Sequence, residues 1–599
     1  MSTRQHNFHI PVMGIGFTID SPLKVAVYGI DSSISLVDDM LIEKMRKHYC
    51  HKYNLVYNEI SEKIEDFRAK RITSYLDMMN NVIDNKINQL RNCSEETVEE
   101  LKNYFGMIPA KKDEFSKKIS GAHCSSEVKE WVRQNIQKGS IDVNIMTKVD
   151  KDNYVGKEKL PVIYNDAHAA LRGFAESTVQ GSLVLSAGLN PRLYGYIASF
   201  EDFYPKSRNL KKKVVLKVSD YRSALIQGKF LVKKGVWVSE FRVESGLNCG
   251  GHAFATEGNL LGPILESFKV NKTKLIVELH DIYIKALTAK NIEPPTVPLP
   301  VKITAQGGVG THEEHEFLLN YYQLESVGWG SPFLLVPEAT TVDDETLHKL
   351  VRAKEEDLYL SNVSPLGVPF NNLRGNTKDE ERQELIKKGR PGSSCPKKYV
   401  SLNKEFTEKS ICVASRQYQH LKIAELQKGK LSTEVYQKEF KEIVEKSCIC
   451  VGLGTSALLA NKMDVKSEGK GVSVCPGPNI AYFARVTKLE EMVKHIYGKT
   501  SVISRQDRPN MFIKELKLYT DYFKERVYEV LPAMDEKEEK RLMRFSNNLL
   551  EGIEYYQNLF SGCKTVLNEK ATGVYAELKN VECTLKDLQR ELNAGKQLM

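Results

Sequence analysis

The sequence predicts an α/β fold: a closed (β/α)8 barrel of the TIM type, interrupted by a helical insertion after its second strand and followed by a cysteine-rich and helical extension. Three observations carry this reading. Eight short runs rich in β-branched residues lie within the first 335 or so positions, helical stretches separate most of them, and the runs end on polar or glycine exits. Alternation of this length suits a closed parallel barrel better than an open sheet.

Taken in order, the strand candidates are residues 10–13, 30–37, 141–146, 182–186, 214–218, 236–243, 301–305 and 324–328. The first ends on a turn holding Gly14 and Gly16, and the second closes on Asp38-Asp39. Between them and the third strand, over residues 41–137, apolar positions such as Ile60, Ile64, Phe67, Ile72, Leu76 and Met79 recur at helical spacing among many charges. That spacing predicts an insertion of several helices. Further helices are expected at 166–174, 220–232 and 260–289. From about Gly375 the alternation stops: residues 376–480 read as irregular chain with one clear helix at 433–446, and the chain after Lys488 reads as helical. The expected domains are 1–375 for the barrel with its insertion, 376–487 for the cysteine-rich region and 488–599 for the helical end.

A chain of 599 residues exceeds one hydrophobic core. Its 41% apolar and 27% charged content are those of an ordinary globular protein. The net charge of +9 is modest for the length, and basic and aromatic residues do not alternate, which argues against a nucleic-acid partner. No apolar run approaches the roughly 20 residues that span a bilayer, and the polar first nine residues hold no signal-peptide core. No membrane partner is expected, and a cytoplasmic location would keep the eleven cysteines reduced.

In such a barrel, chemistry sits where the strands end. The seventh strand exits into Gln306-Gly307-Gly308-Val309-Gly310-Thr311 and the eighth into Gly328-Trp329-Gly330-Ser331-Pro332-Phe333. Glycines at both exits let backbone N–H groups approach a phosphate, so the pair points to a phosphate-bearing cofactor. The sixth strand exits into Gly246-Leu247-Asn248-Cys249-Gly250-Gly251-His252-Ala253. A histidine between small residues at the barrel mouth suits a base near neutrality, whereas Cys249 reads as a packing residue.

Here the sequence resembles a known family. Asn248 to His252 is similar to the Glu-Ala-Gly-Gly-His segment of nitronate monooxygenases and flavin-dependent enoyl reductases. Gln306 to Val309 resembles their Ala-Gly-Gly-Ile loop, and Gly330-Ser331-Pro332-Phe333 their Gly-Thr-x-Phe. The run 10–13, the pair Val143-Asn144 and the segments 365–369 and 371–375 echo further family motifs, over about 375 residues in all. The resemblance implies FMN, with contacts from Met13, Gly14, Asn144, Gly250, Gly251, Gly307, Gly308, Gly330 and Ser331 and a looser one from Lys217. It places His252 where the family keeps its catalytic base. Two departures, Asn248 for the family acid and Ser245 three residues earlier, leave the substrate open.

Five cysteines lie in the region after the barrel: Cys395, Cys412, Cys448, Cys450 and Cys475, of which Cys395 and Cys475 precede prolines. Four thiolates can hold an iron–sulfur cluster or zinc, and the former suits a flavin that needs an electron partner. The same thiols also read as buried apolar residues. The combined expectation is an FMN-dependent oxidoreductase of nitronate monooxygenase-like type. Its partners would be a small-molecule or acyl substrate and NAD(P)H or an electron-transfer protein, in a chain open to homo-oligomerisation. The alternatives are an enoyl-thioester reductase and a flavoprotein scaffold or complex subunit.

Overall fold

The computed structural model describes residues 4–119, 125–186, 188–206, 209–250, 257–531, 534–562 and 571–595. All eight expected strands form: β1 (Phe8–Ile10), β2 (Asp31–Ser35), β3 (Ile141–Ile145), β4 (Ser182–Leu185), β5 (Lys213–Val218), β6 (Val238–Glu244), β7 (Lys302–Gln306) and β8 (Ser326–Gly328). They pair in parallel in chain order, and β8 returns to β1 to close the barrel. Helices cover the outside, so both faces of each strand are dry; this is why β5 reads as a continuous Val214-Val215-Leu216 run rather than an alternation. β1 starts two residues earlier than expected and stops before Pro11, which has no N–H for the ladder.

Inside the N-terminal half of the barrel sits an ionic layer. Glu240 lies 2.7 Å from Arg242 and 3.6 Å from Arg4, and Thr304 Oγ1 donates to it at 2.7 Å. Burial alone would raise the Glu240 carboxyl, but Arg242 and Arg4 hold it well below its ordinary range. Burial and Arg242 drive His9, in the same layer, well below neutrality.

The insertion consists of helices Asp39–Lys52, Phe67–Asn92, Val98–Gly106, Pro109–Lys118 and Ser126–Asn135. Helix Phe67–Asn92 packs along helix Asp166–Glu176, with Thr73 Oγ1 donating to Gly173 O at 2.9 Å. A Cβ at Gly173 would lie 2.8 Å from Ala69 O, so the helices approach this closely only over glycine. Tyr75 Oη then ties the same helix to Ile19 O at 3.0 Å, on the outer wall of the barrel.

The region after the barrel departs from expectation. Residues 376–480 hold four helices and not one: Thr377–Lys387, Arg416–Lys428, Thr433–Glu445 and Ile449–Ala460. The first is charged nearly throughout, and the last is apolar on every face because it is buried; neither shows the apolar stripe by which a helix is recognised. An antiparallel hairpin, β9 (Leu358–Ser361) with β10 (Phe370–Leu373), precedes them. The region is built onto the barrel. Gly16 N donates to Leu453 O at 2.8 Å, Ser456 Oγ to Asp343 Oδ2 at 2.7 Å, and Lys397 pairs with Asp38, both side chains buried. Helices Met511–Val530, Glu536–Gly562 and Ala571–Gly595 complete the chain, the first packing on the β6 exit through Tyr519 Oη, which accepts from Gly246 N at 3.1 Å. Among the described residues no single helix is long and apolar enough to cross a membrane.

Candidate active site at the barrel mouth

A cavity of about 510 Å³ opens at the C-terminal ends of the strands, within the size range of small-ligand and cofactor sites. Strands β1 to β6 supply its floor and walls, and the loop of the β9–β10 hairpin, with helix Ile449–Ala460, covers it. The surface is mostly apolar, from residues such as Val12, Ile15, Val37, Phe370 and Leu453. The described part of the insertion contributes nothing to it.

The polar groups converge on one side. Lys217, the penultimate residue of β5, and Glu244, the last of β6, both line the cavity with Nζ and Oε1 3.2 Å apart. Glu244 Oε1 also accepts from Asn248 Nδ2 at 3.0 Å and from Gln306 Nε2 at 2.6 Å, which fixes the carboxylate beneath the cavity. Asn144, at the end of β3, lines the cavity too, and its buried Oδ1 has no hydrogen-bond partner among the described residues. A buried acceptor left without a donor costs about 1–3 kcal/mol, a cost that a donor group reaching Asn144 would offset. A cation, an acceptor and an apolar wall together suit a flat heteroaromatic ring whose edge carries N–H and C=O groups. The ring of a flavin is of this kind, and the cavity fits it in size and in donor set.

The residues expected to hold a cofactor therefore divide. Gly14, Asn144, Lys217 and Gly250 line the cavity. Met13 does not: it is fully buried behind Gly250, whose φ of +78° and 2.1 Å separation from Met13, measured from a built Cβ, admit only glycine. Gly251 and His252 lie outside the described residues.

Gly307, Gly308, Gly330 and Ser331 were expected to cradle a phosphate, and the structure sets them apart from the cavity. None of the four lines the cavity, because other parts of the chain cover them. A Cβ at Gly307 would meet Asn248 N at 2.9 Å, and one at Gly308 would meet Leu247 at 2.7 Å. Cys475 O accepts from Gly250 N at 3.0 Å and from Cys249 Sγ at 3.1 Å, so chain closes over the β6 exit beside them. Arg508 spans the β7 exit, donating to Gly308 O at 2.7 Å, Asn479 Oδ1 at 2.8 Å and Glu314 Oε1 at 2.8 Å. The glycines permit a close approach, as their sequence implied, but what approaches is the polypeptide. Among the described residues, chain segments cover the β7 and β8 exits.

The cysteines also sort differently from expectation. Among the described residues no group of three or more His, Cys, Asp or Glu is arranged to hold a metal ion. Cys475 stands with Cys249 under the β6 exit. Cys395, Cys448 and Cys450 lie close enough for their thiols to interact, with Cys412 alongside. Sequence reasoning passed over Glu244 and the hairpin loop. Glu244 carried a signal, since it is an acid on the last residue of a barrel strand; the loop carried only its echo of a family motif.

No family model matches the chain, and no curated protein does. Several solved structures resemble it, among them these three. The enoyl reductase domain of MlnA from the macrolactin biosynthesis cluster of Bacillus amyloliquefaciens is 14% identical, with a TM-score of 0.31 over 69% of this chain and 88% of that one. FabK from Thermotoga maritima is 14% identical, with a TM-score of 0.29 over 62% and 79%. Nitroalkane oxidase from Streptomyces ansochromogenes is 9% identical, with a TM-score of 0.33 over 82% and 94%. Likenesses at these scores carry no argument about the chemistry of this chain.

Proposed function

We propose that this chain is a flavin-dependent oxidoreductase that holds the cofactor ring in the mouth cavity. The observation that carries the reading is that Lys217 lines the same cavity as Asn144, whose buried Oδ1 has no partner among the described residues. Asn144 would accept from a ring N–H, and Lys217, held by Glu244, would donate to a ring carbonyl or offset charge on it. A bound flavin supplies hydride or single-electron transfer. The chain's own part is to orient the ring, keep water out with the β9–β10 loop and helix Ile449–Ala460, and move a proton. That last task falls to His252, which follows the cavity-lining Gly250 by two residues.

The finer reading is a nitronate monooxygenase-like enzyme with His252 as acid/base. The apolar roof, with Pro365, Leu366 and Val368 over the cavity, favours a second one, an enoyl-thioester reductase whose acyl group lies under that roof. FMN, FAD and riboflavin should each be titrated into the purified protein by fluorescence quenching. Because the cradle at β7 and β8 is closed, riboflavin and FMN should bind within about threefold of each other, a difference of under 1 kcal/mol. Failure of all three to bind refutes the flavin reading, and an FMN preference above a hundredfold refutes the closed cradle. With flavin bound, anaerobic reduction by a nitronate or by NADPH, followed by enoyl-thioester turnover, separates the two substrates. Replacing His252 with Ala should slow the substrate-dependent half-reaction about 10²- to 10⁴-fold and leave binding unchanged.

A further inference from the structure

The connection from β6 to helix Leu261–Thr288 is gripped at both ends by helices Met511–Val530 and Glu536–Gly562, from the far end of the chain. At the β6 end Ser245 Oγ donates to Glu515 Oε1 at 2.6 Å, and Gly246 N donates to Tyr519 Oη at 3.1 Å. At the helix end Leu261 N donates to Glu515 Oε2 at 2.8 Å, and Gly262 N donates to Tyr556 Oη at 3.1 Å. Each end is thus held by the carboxylate and by a tyrosine, and the two oxygens of Glu515 join the ends to each other. A Cβ at Gly246 would lie 2.4 Å from the Tyr519 ring, and one at Gly262 would lie 2.5 Å from the Tyr556 ring. Both tyrosines reach the backbone only because these residues are glycine.

Four residues beside or between these anchors line the mouth cavity: Glu244, Gly250, Glu257 and Asn259. Glu244 directly precedes Ser245, and Asn259 stands two positions before Leu261. Glu257 is held again by the helical end, since its carbonyl accepts from Asn548 Nδ2 at 2.7 Å and its carboxylate pairs with Arg544 at 2.9 Å. Glu515 itself is 1% exposed, and hydrogen-bond donors rather than a cation hold its carboxylate. Burying a carboxylate without a cation is costly, and apolar packing would fasten a helix to the barrel without that cost. An apolar side chain lacks two acceptors in one plane, which can fix two separate backbone segments at a set distance from each other.

We propose that Glu515 is a positioning residue for the mouth cavity: it clasps the two ends of the β6 connection and so sets the wall that Glu244, Gly250, Glu257 and Asn259 form. The helical end of the chain then serves the site, although none of its described residues lines the cavity. A wall ordered beforehand spares a ligand the cost of ordering it on arrival. The effect on the ligand rests on the flavin reading, whereas the clasp on the wall does not.

The test uses the full chain and the variants Glu515→Gln, Glu515→Leu and Ser245→Ala. Glutamine keeps an acceptor for Leu261 N and a partner for Ser245 Oγ, leucine keeps only the bulk, and Ser245→Ala releases the β6 end alone. Backbone amide exchange, followed by mass spectrometry, should quicken about tenfold in Glu515→Leu at both 246–250 and 257–262, and stay within about threefold of wild type in Glu515→Gln. In Ser245→Ala residues 257–262 should also exchange faster, because a clasp transmits the loss from one end to the other. Riboflavin affinity, measured by fluorescence quenching, should fall about ten- to a hundredfold in Glu515→Leu and hold within about threefold in Glu515→Gln. Unchanged exchange at either end of Glu515→Leu would overturn the proposal, as would quickening in Ser245→Ala that stops at residue 250. So would a loosened wall that binds riboflavin as the wild type does. If Glu515→Leu does not fold, Ser245→Ala decides, read at 257–262 and by riboflavin in the same way. A wild type that binds no riboflavin sinks the flavin reading, and exchange at the two ends then decides the clasp alone.

Discussion

Glu515 gives the sharpest test of how the helical end is tied to the barrel. It lies on helix Met511–Val530 and is fully buried against the β6 exit, where it accepts from Ser245 Oγ at 2.6 Å and from Leu261 N at 2.8 Å. Burial pushes its carboxyl up from 4.5 to about 7, and the hydrogen bonds from Ser245 and the backbone only partly offset this. In the folded chain the proton is therefore held more tightly than in the unfolded one. Below pH 4.5 both states are protonated and burial carries no charge penalty. As pH rises towards 7 the unfolded state releases its proton first, so stability falls, and above 7 the full penalty applies. A shift of that size corresponds to about 3 kcal/mol. Glu515→Gln keeps the shape and removes the charge, so its stability should match the wild type near pH 4.5 and exceed it by about 3 kcal/mol at pH 8. At about 2.1 cal/mol/K per residue, cooperative unfolding of the whole chain turns this into a melting-temperature gain of about 2–3 °C. Differential scanning fluorimetry across pH 4.5 to 8 would measure it. Parallel wild-type and variant profiles, or a variant that melts lower at pH 8, would refute the reasoning.

Three further perturbations target particular contacts. Arg508→Ala strips the buried Glu314 carboxylate of its cation and uncovers the β7 exit; urea unfolding should report a loss of about 3–5 kcal/mol. Asn144→Ala removes an unpartnered buried acceptor, so thermal stability should hold or rise slightly, while flavin affinity measured by quenching should weaken at least tenfold, about 1.4 kcal/mol. Lys397→Met leaves Asp38 buried without its cation, although Leu41 N and Tyr399 Oη still donate to it, so a loss at the lower end of about 3–5 kcal/mol is expected. The double variant Lys397→Met/Asp38→Asn should recover part of that loss in the same unfolding assay.

The barrel was legible because its strands are local events. Each buried run, such as Val214-Val215-Leu216, announces itself by β-branched residues between polar breaks, and closure follows from the order of the runs. The helical insertion was legible for the same reason, since Ile72, Leu76 and Met79 repeat at helical spacing and are buried in helix Phe67–Asn92. Helix Ile449–Ala460 was not legible, because a helix buried on every side has no polar face to set its period.

At the site, Gly14, Asn144, Lys217 and Gly250, which the sequence singled out, line one cavity, since strand ends in a barrel all point to one mouth. The three glycines and Ser331 around β7 and β8 show where its reach ends. By itself the sequence determined that chain could pass closely over Gly307 and Gly308, because a missing Cβ is a property of the residue. What passes over them, Leu247 and Asn248 with Cys475 and Arg508 alongside, was decided only in the tertiary structure. The same holds for the thiols, where Cys395 meets Cys448 and Cys450 from more than fifty positions away while Cys475 goes to Cys249. A turn or a strand is written in neighbouring residues, whereas the partner of a surface is chosen by packing that brings distant segments together.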